Sequence, residues 1–300
     1  MRKHFIGCLF VAAAALAQQP VAYVSTDGND ENFCTSGAPC RELKRALQQV
    51  FFKGHIIILT GGDFESFTID KAVSIKAVSE RPVIRSTIAP AIIVNTNGVS
   101  DVVTISGLSL IAVGGTNGVL NQRSGSLHLV DLQIEGFPGA AVISSENSQK
   151  VFLSESRIRG SEPSVRGGNG VVIPESIDPA MLTHIHRVTF ENLNTAVLLP
   201  PGPRVSLTDS NIVAAQTGLS VTGSVAKLRT EAVVERTSFT GGGTALVAND
   251  NAIIRVSNCV IINNREALQV SAGGQIFSRG NNTVEGNQNN SLFTGQFASR

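Results

Sequence analysis

Three residues before the last apolar position of a recurring stretch, the chain carries Gly107, Asp131, Glu155, Arg187, Asp209, Arg236, Asn258 and Asn281. At strand spacing, Glu155, Arg187, Asp209 and Arg236 would stack as a ladder of opposite charges. Two chemistries fit. In the first, the charges satisfy one another and fix register, each exposed pair contributing little. In the second, an acidic polymer lies along the column: Arg187 or Arg236 takes a uronate carboxylate, Glu155, Asp209 and His184 bind the chain, and Asp131 with Glu155 holds Ca²⁺. His184 and His186 flank Ile185, so a strand points both rings to one face, and His186 is the candidate general base. No carboxylate stands beside them in the sequence to orient a ring, which favours plain surface histidines. His128 lies two coils away, roughly 10 Å by strand spacing, too far for direct pairing.

These residues need an element that repeats. Aligning Thr104 to Leu110, His128 to Ile134, Phe152 to Ile158, His184 to Phe190, Ser206 to Ile212, Val233 to Phe239, Arg255 to Ile261 and Ser278 to Val284 separates the final residues by 24, 24, 32, 22, 27, 22 and 23 positions. Each unit has a second apolar strand after a small residue, as in Gly118-Val119, Ala141-Val142, Gly170-Val171, Ala196-Val197, Gly218-Leu219, Ala245-Leu246 and Ala267-Leu268. Short β-branched runs punctuated by Gly, Asn, Ser and Thr are strand and turn signals, and no helical period recurs. A unit of this size buries its apolar face only by stacking on its neighbours about 4.8 Å away, which predicts a parallel β-helix. The longest interval is assigned to outward loops at Gly167-Gly168-Asn169 and Pro174 to Pro179.

Cys259 falls in a column with Leu108, Leu132, Ser156, Val188, Ser210, Thr237 and Asn282, all small, apolar or amide residues predicted to point inward. There a thiol serves as a small hydrophobe. Asn263 and Asn264 follow at the turn, where asparagine bonds its own backbone or stacks with amides of neighbouring coils. Leu43, Ala46, Leu47 and Val50 have helical spacing, which predicts a short amphipathic helix over Arg41 to Val50 covering the first coil; polar Gly286 to Gly295 would cap the other end.

The net charge is +1 and no Lys/Arg run occurs, so there is no electrostatic footprint for nucleic acid or anionic lipid. Arg2 and Lys3, the apolar run Phe5 to Leu16, and Ala15-Leu16-Ala17 read as an export signal too short to span a bilayer. Cys8 precedes most of that run and is not a lipid anchor. An oxidising destination favours a disulfide between Cys34 and Cys40; the rival, zinc, lacks nearby ligands in sequence. With no Trp and a single Tyr, stacking on sugars looks poor.

The segments "YVSTDGNDENFC" with "PCRELKRALQQV", "SVTGSV" and "GGQIFSRGNNTVEGN" resemble exported bacterial right-handed parallel β-helix proteins of the pectin-lyase-like superfamily. The resemblance covers nearly the whole mature chain and implies an all-β fold: a right-handed, single-stranded β-solenoid with a short N-terminal capping helix. It is specific for fold, since that superfamily spans lyases, hydrolases, esterases, epimerases and adhesins. The Asn-Thr-Asp, paired Asp, Gly-His-Gly and Arg-Ile-Lys signatures of polygalacturonase-like members are absent. Glu80 to Arg85 loosely resembles an Arg-x-Pro-x-x-Arg lyase segment but falls before the aligned repeats and is set aside.

The expected organisation is a signal peptide at 1–17, an N-terminal segment at 18–52 with the Cys34/Cys40 loop and the helix, and the β-helix with its cap at 53–300. The leading functional expectation is an exported monomer, periplasmic or secreted, with little or no catalysis, presenting a long face to a polysaccharide or cell-surface partner and needing no cofactor. The alternative is a pectate-lyase-like enzyme acting at the charged column with Ca²⁺.

Overall fold

The computed structural model describes residues 18–161, 167–175, 181–224 and 230–298. The proposed signal segment and most of the proposed loop from Pro174 to Pro179 lie outside the described residues. Among those described, the chain winds into a parallel β-solenoid with three faces. The front sheet includes Val73–Ala77, Val102–Ser106, Ser148–Ser154, Leu182–His186, Arg204–Thr208, Glu231–Glu235 and Ile253–Ser257. The side sheet has ten short strands, among them Gln133–Glu135, Arg157–Arg159 and Thr189–Glu191. The back sheet includes Ala140–Ser144, Asn169–Val172, Thr195–Leu199 and Thr217–Thr222. The strand Asn117–Val130 passes from back to front without a break, pairing first with Ala140–Ser144 and then with Ser148–Ser154.

Alternation within each strand sends one residue set to the axis, and parallel register stacks like on like. Ile75, Ile105, Leu129, Leu153, Ile185 and Leu207 form one such inner row on the front sheet, all buried. The solenoid begins earlier than the repeats indicate, because Gln19–Val24 already pairs in parallel with Val50–Ile58. The helix is shorter than its apolar spacing suggested, Leu43–Gln49, since Val50 is extended and opens the next strand. Leu43, Ala46 and Leu47 are buried against the first coil, as a cap requires. Cys34 and Cys40 are joined in a disulfide.

Two bends turn the chain between faces, and both use left-handed backbone. At the front-to-side bend, Gly107, Asp131, Glu155, Arg187, Asp209, Arg236 and Asn258 have φ between 47° and 79°. At the next bend Gly136, Asn192, Ala214, Gly241, Asn263 and Gly286 have φ between 55° and 80°. This conformation disfavours residues with a Cβ, least so asparagine and aspartate. The charged column is thus also a column of bends, which splays its side chains outward from the corner of the solenoid.

Just inside that corner runs a hydroxyl ladder. Ser156 Oγ donates to the Ser154 carbonyl at 2.7 Å, Ser210 Oγ to Thr208 at 2.8 Å, and Thr237 Oγ1 to Glu235 at 3.0 Å. The same oxygens accept from the preceding coil, Leu132 N at 3.0 Å from Ser156 and Val188 N at 3.1 Å from Ser210. Cys259 takes this place one coil on, its Sγ 3.1 Å from the Ser257 carbonyl, and it is buried. It is a structural thiol with a hydroxyl's role as well as a small hydrophobe's.

Burial pushes the Cys259 thiol from 9.0 up to about 11. A folded-state pKa above the unfolded value gives stability that is whole below pH 9.0 and lost as pH rises through about 11. The difference corresponds to at most ~3 kcal/mol. Melting curves from pH 8 upward should therefore fall more steeply for the wild type than for Cys259→Ser, whose hydroxyl fits the ladder and does not titrate there. Parallel curves would refute a thiol held neutral by its surroundings.

Candidate functional site on the front sheet

Register fixes what the front sheet shows to solvent. One outward row runs Thr104, His128, Phe152, His184, Ser206, Val233 and Arg255 on successive coils. His128 stacks on Phe152 with centroids 4.5 Å apart and planes at 7°; Phe152 stacks on His184 at 5.2 Å and 13°. Parallel stacking follows from the coil spacing, which brings like-oriented rings on adjacent strands into contact. Ser126 Oγ lies 2.8 Å from His128 Nε2, and partial burial lowers the pKa of that ring.

On the row toward the bend, Ser154, His186, Thr208 and Glu235 follow one another. His186 Nδ1 is 3.0 Å from Thr208 Oγ1 and 3.3 Å from Asp209 Oδ2. A carboxylate therefore does orient this ring, which corrects the expectation of isolated surface histidines: the partner stands one coil on, out of sight of a linear reading. On the opposite row Lys150, Leu182 and Arg204 are neighbours. Lys150 and Arg204 are exposed and carry no ion-pair partner among the described residues.

The column itself is largely self-neutralised. Arg187 Nη1 donates to Glu155 Oε1 at 2.9 Å. Arg236 grips Asp209 bidentately, Nε to Oδ1 at 2.7 Å and Nη2 to Oδ2 at 2.9 Å, and also meets Glu235 at 2.7 Å. That guanidinium holds the Asp209 carboxyl below the usual carboxylate range. Arg81 pairs with Asp131 at 2.6 Å and donates to its carbonyl, across the coil where Gly107 has no side chain. Beyond Arg236 the column continues in amides, Asn281 Nδ2 donating to Asn258 Oδ1 at 2.9 Å.

Of the sequence candidates, the structure brings together Glu155 with Arg187, and His186 with Asp209 and Arg236. His184 stands in the ring stack. Asp131 and Glu155 each face a guanidinium, and no group of three or more His, Cys, Asp or Glu able to hold a metal occurs among the described residues. Two carboxylates so engaged are far from the roughly six to eight oxygens that Ca²⁺ takes, so the pair does not fit that ion. Sequence reasoning missed Arg81, Lys150, Phe152 and Arg204. The alignment carried a signal for Phe152, since His128, Phe152 and His184 each open their aligned stretch. Concave sites also occur beside the helix, where Arg41, Glu42, Asp63 and Arg85 pair among themselves, Arg41 with Glu42 at 2.7 Å and Arg85 with Asp63 at 2.9 Å.

The family model described as right handed beta helix region matches residues 90–288. The chain belongs to the right-handed β-helix family. Among solved structures, it is similar to one titled "Crystal structure of pectate lyase Pel9A", with TM-score 0.61, 14% identity, and coverage of 95% of this chain and 80% of that one. A structure titled "Rhamnogalacturonan lyase" follows with TM-score 0.54, 12% identity, and coverage of 86% and 75%. No curated protein matches the chain. Such identities carry the fold alone, so the superfamily resemblance is borne out for architecture. No helix among the described residues is long and apolar enough to cross a membrane.

Proposed function

We infer that the protein is an exported β-helix that binds an extended polysaccharide along the outer face of the front sheet, with little or no catalysis. The observation that carries this is the His128–Phe152–His184 stack, an in-register aromatic strip flanked by the hydroxyls of Ser154, Ser206 and Thr208. Stacked on one another, the rings turn their C–H edges outward as an apolar track for the C–H faces of sugar rings, with hydroxyls along its borders. Lys150 and Arg204, without an ion-pair partner among the described residues, suit a chain bearing carboxylates. The Cys34–Cys40 disulfide supports export.

The charged column favours binding over cleavage. Arg187 and Arg236 are tied to Glu155 and Asp209, so a substrate carboxylate would have to displace an existing partner. The likeness to lyases of pectate and rhamnogalacturonan keeps cleavage as the alternative, and one experiment separates the two. Uronate-containing and neutral polysaccharides are titrated against wild type, Phe152→Ala and the Arg187→Ala/Arg236→Ala double variant. Loss of the ring strip should weaken binding about tenfold, equivalent to ~1.4 kcal/mol, whereas the double variant should bind as wild type does. Ultraviolet absorbance of the same mixtures with Ca²⁺ and with chelator reads out elimination. A chelator-sensitive rise in unsaturated product that the double variant loses would replace the binding reading with a lyase. Absence of binding to every polymer would sink both.

A further inference from the structure

We propose that His184 and His186 form a binding site for a divalent first-row transition ion, such as Zn²⁺ or Cu²⁺, on the outer face of the front sheet. Ile185 between them is buried, so both rings project from the same side of the strand Leu182–His186. Two residues of strand separate the Cα atoms by about 6.6 Å, a span that two imidazoles bridge onto one ion at Zn–N distances of about 2.0–2.1 Å.

The surroundings prepare each ring. His186 Nδ1 faces Thr208 Oγ1 at 3.0 Å and Asp209 Oδ2 at 3.3 Å. Holding the proton on Nδ1 leaves the Nε2 lone pair bare, and a carboxylate behind a histidine is the usual companion of a metal ligand, fixing tautomer and raising basicity. Asp209 is itself fixed by the two hydrogen bonds from Arg236. His184 is held by its parallel stack on Phe152, so less ring freedom is lost on binding. The neighbouring Arg187 is neutralised by Glu155, which softens its repulsion of a cation.

Imidazole nitrogen suits Zn²⁺, Cu²⁺ and Ni²⁺, while Ca²⁺ prefers oxygen. With two protein ligands the remaining positions go to water, which makes the site open, exchangeable and of moderate affinity. It does not depend on the polysaccharide reading, and its test contains no polymer.

The protein without a histidine tag is titrated calorimetrically with ZnCl₂ and with CuCl₂, and the Cu²⁺ form is examined by electron paramagnetic resonance. The expected result is one ion per chain with hyperfine structure from two nitrogens. His184→Gln and His186→Gln should each abolish stoichiometric binding, and Asp209→Asn should weaken it about 10–100-fold. Asparagine already occupies the same bend at Asn258, so Asp209→Asn preserves the backbone. His55→Gln, an exposed histidine on the early strand Val50–Ile58, should leave metal binding unchanged. No binding by the wild type, binding retained in both His184→Gln and His186→Gln, loss in His55→Gln, or a spectrum with a single nitrogen would each overturn the assignment.

Discussion

Asn264→Leu should destabilise the folded chain by ~2–4 kcal/mol, because it orphans the Gly242 N–H and removes the amide bonds that tie neighbouring coils. Asn264 Nδ2 is shared among the carbonyls of Phe239 and Ile262 and the Oδ1 of Asn287, each at 3.0 Å. Its Oδ1 accepts from Gly242 N at 2.9 Å. Asn287 continues the ladder, donating to the Ile261 carbonyl at 2.9 Å and to Asn290 Oδ1 at 2.7 Å. Leucine matches asparagine in shape, but leaves the Gly242 N–H unmet, whereas the Phe239 and Ile262 carbonyls keep their backbone partners on the adjoining coils. That orphan costs about 1–3 kcal/mol and the lost amide bond to Asn287 about 1 more, which the added apolar burial offsets only in part. Urea denaturation at neutral pH measures the difference. A loss below ~1 kcal/mol would mean that water enters the turn and takes over the amide's bonds.

That ladder was legible from Asn263 and Asn264 because amides on neighbouring coils are a sequence pattern with a mechanism. The solenoid was legible for the same reason: an inward row such as Leu129, Leu153, Ile185 and Leu207 must be apolar on every coil, so the period shows in the residues themselves. The bends were not. Gly107 and Asn258 signal left-handed backbone, but Arg187, Glu155 and Arg236 occupy the same φ region and carry no such mark. A column read as a chemical feature is therefore equally a geometric one. Contacts between coils were half legible. Opposite charges at like positions predicted Glu155–Arg187 and Asp209–Arg236, and both pairs form. The contact of His186 with Asp209 is offset by one position as well as one coil, and Arg81 reaches Asp131 from outside the aligned repeats. Neither offset follows from a column. His128 and His184 sit two coils apart and do not touch, yet Phe152 between them converts two separate rings into a continuous strip.

Phe239→Ala should cost ~3–5 kcal/mol, and its coupling to Gly218 should show how the coils share volume. Phe239 is among the largest fully buried side chains, and it packs over the small-residue column of the preceding coil. A Cβ built on Gly218 would lie 2.6 Å from Phe239 Cδ1 and 2.5 Å from the Ala245 carbonyl oxygen. Gly170 stands in the same relation to Phe190, its Cβ falling 2.8 Å from Cδ1. Where the following coil offers isoleucine, the column holds alanine, as Ala141 before Ile158, Ala196 before Ile212 and Ala245 before Ile261; Gly118 before Ile134 departs from the rule. Ring and methyl thus trade space at constant volume. Gly218→Ala alone should destabilise by about 1–3 kcal/mol through overpacking. In a Phe239→Ile background the same change should cost less, by at least ~0.5 kcal/mol, because it recreates the alanine–isoleucine pair. Chemical denaturation of the four variants closes the cycle. Additivity within about 0.3 kcal/mol would show that the Ala245 carbonyl, not the ring, is what a methyl at position 218 meets.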